Sequence, residues 1–311
     1  MAFVAQRAGM DLIGPFLFMS LRMFLGAATL CAVVLIQGKI LRNRAHGADH
    51  GEIQHLQKGE SGDAACVKSN SSASLRPLLK AGLMIGLIVF VAGSLQQIGL
   101  VFTTASKAGF LTTLYIVLVP ILGMSLRHKT YWNTWVSVLV AVIGLYFLSI
   151  TESFSIQIGD LILLLAAIFW ACHILATDHF VVGLNQRDVM KLCVIQFTVA
   201  AVLSFFCSLV FDRFFEHGQF SAADFMTVIP LVLYVGILST GIAFTFQAIG
   251  QQVINPSAAS IIMSLEAVFS VIGGTVILHE TMSGREAIGC LLMFAALILS
   301  QLTAGRQKGV T

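Results

Sequence analysis

Residues 96–120 read QQIGLVFTTASKAGFLTTLYIVLVP, and they open the stretch, 96–148, that decides the fold. The pattern of this stretch returns without a gap at 247–299, shifted by 151 residues. Apolar segments resemble each other by chance, but glycines, polar residues and loop residues matched at one constant offset indicate an internal duplication. The matched pairs include Gln96/Gln247, Ile98/Ile249, Gly99/Gly250, Ser106/Ser257, Ala108/Ala259, Leu114/Leu265, Val117/Val268, Gly123/Gly274, His128/His279 and Thr130/Thr281.

The composition predicts a membrane protein. Of the 311 residues, 57% are hydrophobic and 11% are charged, against roughly a quarter charged in a soluble domain. The apolar residues come in runs of about 20, the length that an α-helix needs to cross the hydrocarbon core. A transmembrane barrel would show segments of about ten residues with alternating polarity, so we expect a polytopic all-α protein. The net charge of +3 is too small to suggest nucleic-acid binding.

The apolar runs between polar breaks predict nine complete transmembrane helices, at 16–37, 78–99, 106–126, 133–150, 159–177, 190–211, 227–247, 257–278 and 286–304. Upstream of them, Met1 to Ala8 is apolar apart from Gln6 and Arg7 and leads into a polar turn at Gly9 to Pro15. Eight helical residues rise only about 12 Å and cannot cross a bilayer. We therefore interpret this segment as the stub of a first helix.

The duplication divides the chain into an N-terminal repeat, 1–150, and a C-terminal repeat, 159–304, with five helices each when the stub is counted. An odd number of helices forces the second copy to enter the membrane upside down. The predicted fold class is therefore an all-α integral membrane protein built from two inverted five-helix repeats. In transporters of this architecture the substrate site lies between the halves near mid-membrane, and exchange between two nearly equivalent packings gives alternating access.

The distribution of basic residues predicts the orientation. Loops on alternate sides of the membrane carry thirteen and four lysines and arginines, with Arg22 inside a span. The positive-inside rule then puts the long loop 38–76 and the C-terminus in the cytoplasm. This loop is rich in Gly, Ser and charge and has no apolar periodicity, so we expect it to be flexible. Metal sites need ligands held in fixed geometry, so we expect no metal at its group of acidic and histidine side chains: His46, Asp49, His50, Glu52 and His55.

Several short segments carry a recognisable pattern: Phe3-Val4-Ala5-Gln6 with Gly14-Pro15-Phe16 and Leu21-Arg22; Gln97-Ile98-Gly99-Leu100 with Thr103 to Leu111 and Pro120; Phe169-Trp170-Ala171; and Ser264-Leu265-Glu266 with His279-Glu280. Together they resemble the drug/metabolite transporter superfamily, in its ten-helix EamA-like branch, over nearly the whole chain. The resemblance implies export or exchange of amino acids, nucleobases or other small metabolites, and it does not specify the substrate.

Two departures from the family pattern matter. The family usually has a proline after the Leu-Glu pair of its ninth helix, where this chain has Ala267, so the resemblance does not by itself predict the kink that a proline would supply. Most of the first helix is also absent by this comparison. We attribute that absence to a translation start placed too late or to a natural truncation, either of which would leave one wall of the central cavity missing.

Glu266 lies near the centre of the span 257–278. A carboxylate in hydrocarbon is costly, so Glu266 should face a cavity or a partner; an interhelical hydrogen bond is the structural alternative. At the repeat offset its counterpart is Tyr115, and both should face the symmetry axis. The cations nearest the hydrocarbon are Arg22 and Lys107, and either could meet a substrate carboxylate or Glu266. Lys107 also fits a side chain that snorkels to the membrane interface.

Four other side chains, one in the stub and three inside the spans, could line the cavity or pack within the bundle: Gln6, Trp170, His173 and Gln196. Of these, Trp170 and His173 are three residues apart and share a helix face. Gln96 and Gln247 are repeat mates near helix ends. We therefore expect them at opposite mouths of the pathway, as gate residues or in interhelical hydrogen bonds.

No P-loop, dinucleotide fingerprint, H-E-x-x-H or G-x-S-x-G motif occurs in the sequence. The H-x-x-x-x-D spacing of His173 and Asp178 straddles a helix end, so we predict no enzyme, no metal site and no cofactor.

The predicted function is a secondary transporter, with a proton gradient as one option for coupling. Its expected partners are a small-molecule substrate, by preference an exported amino acid, and the lipids of a bacterial cytoplasmic membrane. The alternatives are a facilitator or exchanger of another metabolite class and a truncated, inactive membrane protein; a homodimer remains an option.

Overall fold

The computed structural model describes residues 2–52, 75–126, 132–149, 157–212, 222–269, 272 and 283–307. These residues are almost entirely helical, and no strand occurs among them. Helices satisfy all backbone hydrogen bonds within one segment, as hydrocarbon requires. The helices are α1 (Ala2–Ile13), α2 (Pro15–Glu52), α3 (Leu75–Val101), α4 (Ala105–Thr113), α5 (Tyr115–Ser125), α6 (Trp132–Ser149), α7 (Ile158–Val181), α8 (Gln186–Phe211), α9 (Ala222–Leu233), a π-helical segment (Tyr234–Ala243), α10 (Phe244–Gly250), α11 (Pro256–Ser264) and α12 (Gly284–Gln307).

Each of the nine predicted spans coincides with helix in the described part of the chain. Six coincide with helices long and apolar enough to cross a membrane: Pro15–Lys39, Leu75–Val101, Lys107–Ser125, Ile158–Val181, Gln186–Phe211 and Met226–Gly250. Two coincide with shorter apolar helices, Trp132–Leu148 and Pro256–Phe269, and the ninth with α12. Part of the span 257–278 lies outside the described residues. The count of nine crossings therefore stays a prediction.

The boundaries of the first two helices differ from those expected. Helix α1 continues through Ile13, so the predicted turn at Gly9 to Pro15 narrows to Gly14. Helix α2 continues through Glu52, so the first part of the predicted flexible loop 38–76 is helical. An existing helix gains one hydrogen bond for each residue added, which favours this extension. The rest of the loop, 53–74, lies outside the described residues, as do the histidine side chains considered above.

Gly14 and Asp212 together fix the junction between α1 and α2. Gly14 has a φ of 80°, which a residue with a Cβ adopts only at a cost. The buried carboxylate of Asp212 accepts hydrogen bonds from the backbone N–H groups of Phe16 (3.0 Å) and Leu17 (2.8 Å). These N–H groups belong to the first turn of α2 and have no partner within the helix. The end of α8 therefore caps the start of α2.

We expect Gly14→Ala to lower the thermal stability of the protein more than Gly183→Ala does. Both glycines have a φ near 80°, which costs alanine roughly 1 kcal/mol. A Cβ on Gly14 would also lie 2.9 Å from Cγ of Asp212, whereas a Cβ on Gly183 would meet nothing within 4 Å. The extra loss should be about 1 kcal/mol from the disturbed cap, measured as the melting temperature of purified protein in detergent. Equal losses in both variants would contradict the capping role of Asp212.

The described helices repeat at the offset found in the sequence. Helix α4 spans 105–113 and α11 spans 256–264, a shift of 151 at both ends. The residues before them, Thr104 and Asn255, both cap the helix by accepting from the backbone N–H three residues on. Both helices then break at a leucine, Leu114 or Leu265, with nearly the same φ and ψ. This agreement in structure supports the duplication.

Helix packing also follows the two predicted halves. The second helices of the halves, α2 and α8, pack against each other, and so do the last helices, α6 and α12. Contacts between repeat mates are compatible with a two-fold axis between the halves, which stays a prediction. At the α6–α12 contact a Cβ on Gly144 would lie 3.0 Å from the carbonyl oxygen of Gly289, and the reverse distance is 2.9 Å. The inverted orientation of the halves in a membrane stays a prediction.

Candidate functional site

A cavity of about 460 Å³ lies between the two predicted halves. This volume falls in the range of small-molecule sites. Its walls come from α1 to α5, α7, the π-helical segment, α10, α11 and the turn of helix that follows α11. The lining residues are Phe3, Gln6, Arg22, Gln96, Thr112, Thr113, Tyr115, Trp170, Tyr234, Leu238, Ser239, Ala243, Phe244, Gln247, Met263, Glu266 and Phe269.

Glu266 and Tyr115 both line this cavity, at equivalent positions of the two repeats. Each follows the break of a helix, Glu266 after Leu265 and Tyr115 after Leu114. Glu266 is exposed, and because it lies in the cavity wall its carboxylate faces the cavity rather than packed protein. Tyr115 is 8% exposed. Broken helices at mid-membrane are tolerated where the backbone lines a cavity.

The break before Glu266 forms without a proline. Pro120 lies inside α5, but the equivalent position of the second repeat is Val271. Both repeats nevertheless break at the same place, and each break is closed by a short-range hydrogen bond, from Leu114 N–H to the carbonyl of Leu111 and from Leu265 N–H to that of Ile262. Ala267 in place of the family's proline therefore does not remove the break.

Arg22 lies on α2 and is 2% exposed. Its Nη2 donates to Sδ of Met19 at 3.1 Å, and its Nε has no hydrogen-bond partner within the described part of the structure. A thioether is a weak acceptor, whereas a guanidinium carries five N–H donors. Arg22 and Glu266 face the same cavity, but they form no ion pair with each other. The cavity therefore contains two opposite charges that are not joined.

A hydrogen-bonded row crosses the cavity wall from α1 to α7. Nε2 of Gln96 donates to Oε1 of Gln6 at 3.3 Å, and Nε1 of Trp170 donates to Oε1 of Gln96 at 2.7 Å. All three side chains are buried and line the cavity. This row joins three helices, so Gln96 has the interhelical role that the sequence suggested.

Gln96 and Gln247 both line the same cavity, and their separation to opposite mouths of the pathway stays a prediction. The Gln96 side chain reaches Trp170, which lies at the middle of α7, so it sits deeper than its place near a helix end implied. Gln247 donates to Gln251 at 3.2 Å, and Gln251 donates to the backbone carbonyl of Ile174.

His173 and Gln196 lie behind the cavity wall and do not line it. His173 is 1% exposed, and its Nε2 lies 3.4 Å from both Oε1 of Gln196 and Oγ1 of Thr177. Its ring packs edge-on against Trp170, with ring centroids 5.6 Å apart. Of the two residues on this helix face, Trp170 therefore lines the cavity, and His173 packs behind it against the Trp170 ring.

Lys107 does not reach the cavity. Its Nζ forms an ion pair with Oδ2 of Asp160 at 2.5 Å, and Oγ1 of Thr103 donates to the other carboxylate oxygen at 3.2 Å. Asp160 also accepts from the backbone N–H of Gln157 in a capping box at the start of α7. Packing of α4 against α7 brings Asp160 next to Lys107. Asp160, and not Glu266, is therefore a described partner of Lys107, while the place of Lys107 at the membrane interface stays a prediction.

Sequence reasoning missed most of the aromatic and hydroxyl side chains of the cavity: Phe3, Thr112, Thr113, Tyr234, Ser239, Phe244 and Phe269. The repeat offset could have found one pair, since Thr112 and Met263 are repeat mates and both line the wall. No pattern in the sequence indicated the π-helical segment, which supplies Tyr234, Leu238 and Ser239. Such segments occur frequently at functional sites.

The chain is similar to known transporters in sequence and to a solved structure in fold. The model of the EamA-like transporter family matches residues 157–302. A protein from Archaeoglobus fulgidus named "Uncharacterized transporter" is 30% identical over 227 residues, which cover 72% of this chain and 69% of that protein. "Uncharacterized transporter YoaV" from Bacillus subtilis is 27% identical over 312 residues, or 98% of this chain and 93% of that protein. A solved structure described only as "Crystal structure of protein" has the same fold, with a TM-score of 0.69 at 18% identity over 98% of this chain and 96% of that one.

Proposed function

This chain belongs to the EamA-like transporter family and is a multi-pass membrane transporter; we propose that it is a secondary carrier of a small metabolite, with an amino acid as the preferred class. The observation that carries this proposal is the cavity itself. It lies between the two predicted halves, and equivalent residues of the two repeats, among them Tyr115 and Glu266, line it together. A site at the interface of two repeats is what alternating access requires.

In the proposed cycle the two halves rock around the bound metabolite, so that the cavity opens first to one side of the membrane and then to the other. The aromatic side chains of the wall, such as Trp170 and Phe244, supply apolar surface for the metabolite. Glutamines and hydroxyl groups orient its polar atoms. Glu266 is the candidate for proton coupling, because among the described residues it is the carboxylate in the cavity wall. Export is the proposed direction.

Transport by the purified protein tests this function. Proteoliposomes loaded with a bacterial metabolite extract would be sampled with and without a proton gradient, and released compounds would be identified by mass spectrometry. Release of particular metabolites beyond that from protein-free liposomes is the expected result. Release that depends on a counter-metabolite rather than on a gradient would identify an exchanger. A protein that releases nothing under any gradient would contradict the carrier assignment.

The proposed location is a bacterial cytoplasmic membrane, with loop 38–76 and the C-terminus in the cytoplasm. Native Cys66 lies in this loop. We expect Cys66, kept as the single cysteine, to be shielded from an impermeant thiol reagent in intact cells. A single cysteine introduced as Glu216→Cys in the cysteine-free chain should be labelled instead. Both should react after the membrane is permeabilised, and the reverse pattern in intact cells would overturn the orientation.

A further inference from the structure

We propose that the cavity recognises a zwitterion by two charged contacts, in which Arg22 binds a carboxylate and Glu266 binds an ammonium group. The inference rests on the proposed function, because it names the chemical class of the carried molecule. It selects molecules with a free carboxylate and a free amino group over amines, simple carboxylic acids, amino-acid esters and uncharged metabolites.

The first observation is that Arg22 is buried with part of its hydrogen-bonding capacity unused. It is 2% exposed and lines the cavity, yet its Nη2 donates to the sulfur of Met19, and its Nε is without a partner among the described residues. A charged group inside a membrane protein is costly unless a partner compensates it. A carboxylate in the cavity would supply strong, charge-assisted hydrogen bonds to the guanidinium.

The second observation is that neighbouring residues leave room for Arg22 against α3. A Cβ on Gly93 would lie 2.2 Å from Cε of Met19 and 3.5 Å from Nη2 of Arg22. Glycine at this position therefore lets Met19 pack directly against the helix. Met19 in turn contacts the guanidinium of Arg22 through its sulfur, so this packing supports the side chain of Arg22 at the cavity wall.

The third observation is the position of Glu266 in the same cavity. It comes from the opposite repeat, it is exposed to the cavity, and it makes no hydrogen bond or ion pair with another residue that the structure describes. The two charges influence each other electrostatically without being in contact. A cavity of about 460 Å³ leaves space for a small molecule between them. A zwitterion would neutralise both charges at once, whereas an amine or a simple acid would leave one of them without a counter-charge.

The remaining lining residues fit the body of such a molecule. Trp170 and Phe244 pack against each other with ring centroids 5.7 Å apart, and Tyr234 also lines the cavity. They offer apolar surface for a side chain, while the two charged groups bind the polar end. The two charged groups contact the polar end that all amino acids share, and the aromatic wall contacts the side chain that varies. We therefore expect the site to bind several amino acids with apolar side chains.

Equilibrium binding to the purified full-length chain in detergent tests the inference without requiring transport. Common L-amino acids would be screened by thermal shift, and the strongest binder compared with its methyl ester, its decarboxylated amine and its deaminated acid. Loss of one charge-assisted contact should weaken binding by about 10- to 100-fold. The absence of binding by every amino acid, or binding of the ester, amine and acid within about threefold of the parent, would overturn the proposal.

Variants distinguish ligand binding from a structural role. Arg22→Gln should weaken binding of the parent amino acid about 10- to 100-fold and leave binding of its methyl ester nearly unchanged, because the ester has no carboxylate to lose. A structural role of Arg22 would weaken both ligands alike, and would overturn the assignment. Arg285→Gln is the control, since Arg285 stacks on Tyr146 and Phe147 and does not line the cavity. If Arg22→Gln does not fold, binding of the amino acid, its ester, its amine and its acid to the wild-type chain still tests the proposal.

The outcome for transport is separable from the outcome for binding. Charge-dependent binding without flux would support the two-contact site and contradict the carrier function. Flux of a metabolite that lacks a carboxylate or an amino group, at a rate unaffected by Arg22→Gln, would support the carrier function and overturn the two-contact site.

Discussion

Glu266→Gln is expected to reduce transport at least about tenfold while the protein still folds and stays monodisperse in detergent. The carboxylate faces the cavity and makes no direct bond to a described residue, so glutamine breaks no hydrogen bond or ion pair there, and Arg22 loses only a counter-charge that it does not touch. This distinguishes Glu266 from a carboxylate in a tight ion pair, whose removal would destabilise the fold. The measurement is flux into proteoliposomes, normalised to the amount of reconstituted protein.

The pH dependence of the same variant tests proton coupling. If Glu266 takes up and releases a proton during the cycle, glutamine imitates its protonated form at every pH. The residual flux should then be insensitive to pH over the range in which wild-type flux changes. Glu286→Gln is the matched control, because Glu286 binds Ser283 at the start of α12 and does not line the cavity. Wild-type flux and an unchanged pH profile in Glu266→Gln would show that this carboxylate is a bystander.

The position of Glu266 could be predicted from the sequence because one physical rule dominates there. A carboxylate in the middle of an apolar run must face a cavity or a partner, and the repeat offset then identifies Tyr115 as its counterpart. The same rule directed attention to Arg22. All three line the cavity. The binding roles of these residues stay predictions until they are tested.

The environment of Lys107 could not be predicted in the same way. Its partner Asp160 is 53 residues away in the sequence, and the two meet only because α4 packs against α7. Periodicity identifies the apolar face of a helix but does not specify which neighbour covers it. The sequence therefore could not determine that Trp170 lines the cavity while His173, on the same helix, packs behind it.

Backbone irregularities were the other limit of sequence analysis. The breaks at Leu114 and Leu265 and the π-helical segment Tyr234–Ala243 all lie within continuous apolar runs that predict unbroken helices. Such departures depend on packing against neighbours. Gly236 of the π-helical segment illustrates this, because a Cβ there would lie 2.8 Å from Cβ of Leu25 on α2. Close approach of the two helices therefore shapes the wall that bears Tyr234 and Ser239.

Asp160→Asn is expected to lower the stability of the protein by about 1–3 kcal/mol, with a clear fall in its melting temperature. The change removes the carboxylate that pairs with Lys107 and weakens the cap of α7 at Gln157. The loss should stay below that of a fully buried pair, because Lys107 is partly exposed and its ammonium group can reach water once Asp160 is neutral. Lys107→Met should cost a similar amount by leaving Asp160 unpaired.

The double variant Asp160→Asn with Lys107→Met supplies the decisive comparison. It removes both charges together, so the stranded-charge penalty disappears and stability should lie well above the sum of the two single losses. Lys191→Met is the matched control. It breaks a pair with Asp188 of similar length, 2.7 Å, but Lys191 is more exposed than Lys107. Asp188 is itself buried, yet it keeps the hydrogen bond that Nδ2 of Asn185 donates to its other carboxylate oxygen, so removal of Lys191 should cost less than about 1 kcal/mol. Strictly additive losses of stability for Asp160 and Lys107 would show that the two charges do not stabilise each other. Their proximity would then be a result of helix packing and would not help to maintain it.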